Sequence, residues 1–247
     1  MPQHEAPTIT IYQHKLNVLL GQDFPIGPKC IPWYYVINFQ KGGCLPFILG
    51  CMWLFDNWSV ACWCYAAAHG SYGLCWLLKH FLFPDPQWSQ KITVGGAFMS
   101  FLLVLGPYWV APYLLTSRSV AFEPSIARCA AALITYTLGV VLMMSADCYK
   151  TAVLGVRPGL ITNGPFALCR HPNYLGEMMI YGSFAAMVPH WLPCVILGYV
   201  WLQLFLTNIL MKEARMSRHQ MWDEYCACTG MLFPRFDGFL RCGAKVE

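Results

Sequence analysis

The sequence predicts an all-α fold, a polytopic membrane bundle of about five transmembrane helices with one short re-entrant or interfacial segment. The first reason is composition: 57% of the 247 residues are hydrophobic and 11% are charged, whereas soluble domains carry roughly 25% charged residues. The second is a series of long apolar runs separated by short polar loops. A soluble protein of this composition would expose large apolar patches and associate, so a bilayer is the expected environment.

Five apolar runs approach the length of roughly 20 residues that a transmembrane helix needs. They cover residues 58–82, 94–115, 126–146, 173–188 and 191–211. The last two form a predicted hairpin. Two earlier segments, 31–39 and 44–55, are short, and Lys41-Gly42-Gly43 is expected to break them apart. We therefore predict that 44–55 is re-entrant or interfacial.

The chain is expected to have two parts. Residues 1–57 would form an N-terminal cap that begins with an extended stretch, and residues 58–247 a membrane catalytic domain. Five spans place the 84–93 loop, the 147–172 connection and the C-terminal tail on one side of the membrane. Lys and Arg residues are concentrated in these loops, which indicates that this side is cytosolic.

Charge and cysteine content exclude several classes of function. The net charge is +4, and the basic residues lie beside membrane segments, so we expect contacts with membrane lipid headgroups or a phosphorylated cofactor and no nucleic-acid binding. Most of the 13 cysteines lie in apolar runs, where Cys behaves as a small hydrophobe. Because no pair has the usual zinc-ligand spacing, no metal site is expected.

A dense polar cluster lies between the third and fourth predicted spans. Its residues are Asp147, Lys150, Arg157, Asn163, Arg170, His171, Asn173, Tyr174 and Glu177. Ionisable side chains at a membrane border are costly and indicate a functional site. Lys, Arg, His and Asn together suit an anionic small molecule that forms hydrogen bonds. The simpler alternative is a basic anchor at the membrane boundary.

The segment RHPNYLGE (170–177) has a helix-start pattern. Pro172 fits the first turn of a helix, and free N–H groups at such a start can hold phosphate. Glu177 would then lie one turn beyond Asn173 on the same face.

Three motifs occur in a recognisable order: SADCYK (145–150), RHPNYLGE (170–177) and KEAR (212–215), followed by Trp222 and Tyr225. They resemble the C-terminal signature of the steroid 5α-reductase and sterol reductase superfamily of integral membrane enzymes. In this sequence the signature would lie within residues 145–235. HGSYGLCWLLK (69–79) and GLITNGPF (159–166) are similar to an uncharacterised reductase-like branch.

The resemblance implies NADPH as the cofactor. The polar cluster would line its pocket, and Lys212, Glu213 and Arg215 would close it. The stretch between Arg215 and Trp222 is shorter than in sterol reductases. The absence of a G-x-G-x-x-G motif implies that any nucleotide is bound without a Rossmann fold.

Isoprenylcysteine and phospholipid methyltransferases, which use S-adenosylmethionine, share this architecture. Their related motif is typically RHPxY-x-G, and a pair of glutamates usually follows the hairpin. Asn173, Glu177 and the single Glu213 favour the reductases. The methyltransferase remains the alternative, and a non-catalytic lipid-binding protein is a third.

Three side chains are candidates for the catalytic proton donor: His69, Tyr72 and Tyr181. His69 and Tyr72 are neighbours on one helix face. Each could protonate a substrate while hydride arrives from the cofactor. The competing interpretation is a buried histidine in an interhelical hydrogen bond, with Lys79 reaching to the interface.

The sequence thus predicts an NADPH-dependent reductase that acts on a C=C bond of a lipid or sterol-like substrate. Its expected location is the endoplasmic reticulum membrane in a eukaryote or the inner membrane in a bacterium. The substrate's identity and the oligomeric state stay open.

Overall fold

The structure is a computed structural model that describes residues 5–235, and it confirms an all-α helical bundle. Within these residues, the α-helices are α1 Thr8–Val18, α2 Trp33–Leu54, α3 Val60–Leu82, α4 Val94–Ser100, α5 Val110–Thr116, α6 Ile126–Val156, α7 Pro172–Ala186, α8 Trp191–Val200, α9 Thr207–Met216 and α10 Trp222–Cys228. Two short strands, β1 Ile31–Pro32 and β2 Lys91–Ile92, pair antiparallel.

Three helical segments of residues 5–235 are long and apolar enough to cross a membrane: Val94–Thr116, Ile126–Val156 and Trp191–Met216. The first joins α4 to α5 through a π-helical stretch, Phe101–Leu105, and a 3-10 turn, Gly106–Trp109. The third joins α8 to α9 through a π-helical stretch, Trp201–Leu206. These segments support an integral membrane protein, while the count of five spans stays a prediction.

Side-chain caps set the start of several helices. Ser59 accepts a hydrogen bond from the Cys62 amide at the start of α3, and Ser125 does the same for the Arg128 amide at the start of α6. Such caps satisfy backbone N–H groups that have no partner inside the helix. The polar residues between the apolar runs therefore define the helix boundaries.

Helix α2 corrects the predicted break at Lys41-Gly42-Gly43, because Trp33–Leu54 is continuous. A glycine inside a helix costs about 1 kcal/mol relative to alanine, but small residues let helices approach closely. A Cβ atom on Gly73 of α3 would lie 2.2 Å from the Lys41 carbonyl oxygen. This close contact of α2 with α3 places Lys41 inside the bundle, where it is 4% exposed.

Helix α6 extends beyond the predicted end at Ala146 and continues to Val156. Asp147 and Lys150 therefore lie on a helix instead of in a connection. Helix α6 packs closely on α7, since a Cβ atom on Gly176 would lie 2.7 Å from the Gly139 carbonyl oxygen. The polar end of α6 is held beside the first turns of α7 as a result.

The N-terminal region forms helix α1 where an extended stretch was expected. It runs antiparallel to the third spanning segment: Asn17 bonds with Gln203, and Thr207 donates to Gln13. A π-helical stretch, Leu19–Asp23, follows α1 and contacts α4, where Ser100 donates to the Gly21 carbonyl. The division of the chain at residue 57 stays a prediction.

Candidate functional site

A cavity of about 520 Å³ lies inside the bundle, within the usual size range of small-molecule sites. Its walls include residues from α1, α2, α3, α4, α6, α7, α8, α9 and the three π-helical stretches. The π-helical turn is rare and occurs often at functional sites. Here all three of the π-helical stretches within residues 5–235 contribute lining residues.

The end of the cavity nearest the 84–93 loop is charged. Lys79 of α3 forms a buried ion pair with Asp147 of α6. Lys150 lies 3.8 Å from Asp147 and 3.8 Å from Asp85. We call these four residues, together with Lys212, the charged mouth; all five line the cavity. Lys79 was expected to reach to the membrane interface, and its burial against Asp147 corrects that interpretation.

Helix α7 provides a polar stripe along the cavity. Asn173, Glu177 and Tyr181 recur every four residues, so they share one helix face, and all line the cavity with Tyr174. The Lys212 ammonium donates to the Tyr174 hydroxyl at 3.1 Å. Within residues 5–235, the Glu177 carboxylate has no hydrogen-bond or ion-pair partner. It is therefore available to a ligand.

The deep end of the cavity holds a lysine surrounded by tyrosines. The Lys41 ammonium donates a hydrogen bond to the Tyr181 hydroxyl and lies 4.3 Å from the centroid of the Tyr72 ring. Tyr108 stacks on Tyr181 with ring centroids 4.1 Å apart. The buried Tyr72 hydroxyl has no hydrogen-bond partner among residues 5–235. We call Lys41, Tyr72, Tyr108 and Tyr181 the tyrosine cluster.

The structure brings eight of the fifteen predicted site residues to this cavity: Tyr72, Tyr181, Asp147, Lys150, Asn173, Tyr174, Glu177 and Lys212. His69 is not among them. Its Nε2 atom lies 3.3 Å from the Cys44 thiol and its Nδ1 atom 3.3 Å from the Tyr65 hydroxyl, and the side chain is fully buried. This matches the alternative of a buried histidine in an interhelical hydrogen bond.

Arg170 and His171 form a separate ionic cluster with Glu213. The Arg170 guanidinium bonds to both carboxylate oxygens at 2.9–3.0 Å and to the Thr229 carbonyl at 2.6 Å. His171 Nε2 lies 2.8 Å from Glu213 Oε1. Burial lowers the pKa of His171 below its usual value, although Glu213 opposes this. We call these groups the tail clamp, since they hold the segment after α10 against α7.

Three further predicted residues lie away from the cavity lining. Arg157 is exposed at the end of α6, and Arg215 is exposed on α9. Asn163 is exposed and accepts a hydrogen bond from the Tyr149 hydroxyl at 2.9 Å. Their assignment as cofactor ligands stays a prediction.

The sequence interpretation missed several lining residues, of which Lys41 is the most important. An ionisable residue inside an apolar run is itself a signal of function, but the two adjacent glycines suggested a break in the helix. Asp85 lies in the 84–93 loop, and Tyr108 lies in an irregular part of its span. Their roles depend on contacts between helices, which a single sequence does not display.

Comparison with known families agrees with this architecture. Residues 108–229 match the model of a family described as "Protein of unknown function (DUF1295)". That family belongs to a membrane superfamily similar to the steroid 5α-reductases and isoprenylcysteine methyltransferases. No curated protein and no solved structure matches the chain. The matched segment contains the lining residues of α6, α7 and α9, whereas Lys41, Tyr72, Lys79 and Asp85 precede it.

Proposed function

We propose that the protein is an NADPH-dependent membrane reductase that adds hydride and a proton across a C=C bond of a lipid. The observation that carries the proposal is the hydrogen bond between Lys41 and Tyr181 at the deep end of a cavity with a charged mouth. The family match supports a membrane enzyme of the reductase and methyltransferase type.

Tyr181 is the proposed proton donor. Reduction of a C=C bond needs a proton at the carbon that does not receive hydride, and a positioned acid speeds such a transfer by about 10²–10⁴-fold. The Lys41 ammonium is already bonded to the Tyr181 oxygen, so it stabilises the phenolate that remains after the proton leaves. Tyr108 stacks on the Tyr181 ring and restricts its orientation.

The residues of the cavity fit a phosphorylated nucleotide at the charged mouth. Lys150 and Lys212 have ammonium N–H donors beyond the contacts described above, and ammonium groups bind phosphate as point charges. Asn173 and Glu177 offer an amide and a carboxylate to a neutral hydrogen-bonding group. NADPH, when bound, supplies the hydride. Arg170 lies outside the cavity lining, and three of its five N–H groups bond to Glu213 and Thr229.

The apolar walls would exclude water from the reacting bond. Leu103, Val104 and Leu105 line one side, and Val200, Leu204 and Phe205 line another. A water-poor cavity strengthens the interactions of Lys41 and Tyr181 with the reacting atoms. It also suits the apolar body of a lipid or sterol-like substrate.

A methyltransferase that uses S-adenosylmethionine is the second candidate. The observation in its favour is the Glu177 carboxylate, which lines the cavity without a partner among residues 5–235. A free carboxylate suits the positive charge of a sulfonium group. Methyl transfer, however, gives no role to a proton donor at the deep end.

Thermal unfolding of the purified protein with each cofactor separates the two functions. A ligand that binds the folded state alone raises apparent stability with its concentration. We expect NADPH to raise the melting temperature saturably and S-adenosylmethionine to leave it unchanged. Stabilisation by S-adenosylmethionine alone would establish the second candidate, and a response to neither would contradict both. The variant Lys91→Ala, at an exposed position outside the cavity lining, should respond as the unmodified protein does.

A further inference from the structure

We propose that Asn17 and Gln203 form a second subsite of the cavity, which binds the uncharged oxygen-bearing group of a membrane lipid. The lipid would enter from the bilayer between α1 and α8. The inference rests on the proposed function, because this lipid is the substrate of the proposed reductase.

The two amide side chains are bonded to each other yet keep free hydrogen-bonding capacity. Asn17 Nδ2 donates to the main-chain carbonyl oxygen of Gln203 at 2.9 Å, and Gln203 Nε2 donates to Asn17 Oδ1 at 3.0 Å. Each amide group has two N–H donors and one oxygen acceptor. One donor of each group and the Gln203 Oε1 atom therefore remain for a ligand. Both residues line the cavity, so these atoms can meet a hydroxyl or carbonyl oxygen there.

Apart from the His14 imidazole, the cavity-lining residues within five positions of Asn17 or Gln203 are uncharged. Gln22, Ser100 and Tyr199 add further polar groups to the cavity lining. Lys212 of the charged mouth is nine residues along from Gln203, which corresponds to roughly 13 Å of helix. Burial and the charge of Arg215 lower the pKa of His14, so this imidazole is neutral near pH 7. A ligand group held here faces amides and hydroxyls.

The proposed opening in the cavity wall lies beside the amide pair, between α1 and α8. Leu16 of α1 and Tyr199 of α8 both line the cavity, yet they are 47% and 46% exposed. Val195 and Leu202, on the same spanning segment as Tyr199, are exposed and apolar. The outer rim of the opening therefore faces the hydrocarbon region of the membrane, and the ligand that passes it is a lipid.

The chemistry of this route selects an uncharged lipid. Moving an ion out of water costs several kcal/mol unless an opposite charge compensates it, and the amide pair offers no charge. A hydroxyl, ketone or ester oxygen fits, since it needs the donors and the acceptor that the pair leaves free. The Tyr181 hydroxyl would then act on a double bond at a distance from this anchored group.

Polar pairs between membrane helices also serve as structural links, and a labelling experiment distinguishes the two roles. The probe is a diazirine-bearing hexadecan-1-ol, photoactivated on the full chain in phospholipid nanodiscs and mapped by peptide mass spectrometry. We expect labelling of α1 or α8. Excess unlabelled hexadecan-1-ol should suppress this labelling, whereas hexadecane and hexadecanoate should not. Equal competition by all three compounds, or no competed labelling at all, would overturn the proposal.

The variant Gln203→Leu should reduce the competed labelling about tenfold, the effect of losing one hydrogen bond of ordinary strength. The bond from Asn17 to the main-chain carbonyl of residue 203 remains in this variant. Gln87→Leu is the matched control, because Gln87 also lines the cavity but near the charged mouth. Unchanged labelling in Gln203→Leu would refute the subsite. If Gln203→Leu does not fold, Leu16→Trp, at the exposed opening, should block labelling instead, and retained labelling there would refute the entry route.

The NADPH-dependent melting shift is measured on the same preparations. A normal shift with absent alcohol labelling would refute this inference alone. Loss of the shift in the unmodified protein would refute the proposed function. The two failures are therefore distinguishable.

Discussion

Arg170 holds both carboxylate oxygens of Glu213, with its Nε atom 3.0 Å from each and its Nη2 atom 2.9 Å from Oε2. The two residues are 43 positions apart in the chain and join the start of α7 to α9. A fourth bond runs from the Nη1 atom to the Thr229 carbonyl. The Arg170 guanidinium is therefore the centre of the tail clamp.

Arg170→Lys should lower stability because lysine keeps the charge but lacks the planar fork that bonds both oxygens. Breaking a buried ion pair costs about 3 kcal/mol or more, and both side chains here are mostly buried. We expect a loss of about 2–3 kcal/mol in the free energy of unfolding, measured by denaturant titration. Arg157→Lys, at an exposed position, is the control and should change little. Equal stability of the two variants would show that the clamp contributes nothing.

His171 should make stability depend on pH. Burial lowers its pKa in the folded protein below the ordinary value of 6.5, so the unfolded chain binds the proton more readily. The stability that neutral His171 provides is then fully present above pH 6.5 and is lost as the pH falls from there toward the folded-state pKa. Melting temperatures from pH 7.5 to 5 should show this decline, and His171→Gln should make it shallower. A decline of the same steepness in the variant would assign the effect to another group.

Gly73→Ala should separate α2 from α3. The new Cβ atom would lie 2.2 Å from the Lys41 carbonyl oxygen, and a backbone atom cannot move aside as a flexible side chain can. We expect a loss of about 1–3 kcal/mol in stability and a displaced Lys41. Gly50→Ala on α2 is the matched control, since its Cβ atom would meet nothing within 4 Å. It should be neutral or slightly stabilising. A stable Gly73→Ala protein would contradict the close packing of the two helices.

Tyr181→Phe should lower the turnover of NADPH with a lipid substrate by about 10²-fold or more, because it removes the proposed proton donor. NADPH affinity should stay within about twofold, since the proposed phosphate ligands lie at the charged mouth. Steady-state rates and a binding isotherm on the same protein check both statements. Tyr113→Phe provides a control on a tyrosine outside the cavity lining. Full activity of Tyr181→Phe would contradict this assignment and leave Tyr72 or Lys41 as the candidate proton donor.

Much of the site could be predicted from the sequence where it depends on spacing within one helix. Asn173, Glu177 and Tyr181 share a helix face by their four-residue intervals, and the structure places all three on the cavity. The membrane character followed in the same way from the length of the apolar runs, three of which the structure supports.

The rest depends on which helices meet, and composition does not reveal that. Lys41 lies beside two glycines that favour a break, yet the helix continues through them, and Gly73 of α3 allows the close approach that buries Lys41. Asn17 and Gln203 are 186 residues apart, and nothing in either local pattern indicates that they are paired. The pairing of Arg170 with Glu213 could not be predicted either, because a fork that fits phosphate also fits a carboxylate.

The central claim is that the charged mouth binds NADPH, and isothermal titration calorimetry with three proteins tests it most directly. The unmodified protein should bind NADPH saturably. Lys150→Ala/Lys212→Ala should weaken binding by about tenfold or more, the effect of losing charged hydrogen bonds. Arg157→Ala, which alters a basic residue outside the cavity lining, should bind as the unmodified protein does. No heat of binding in the unmodified protein, or a loss in Arg157→Ala with full affinity in the lysine variant, would contradict the claim.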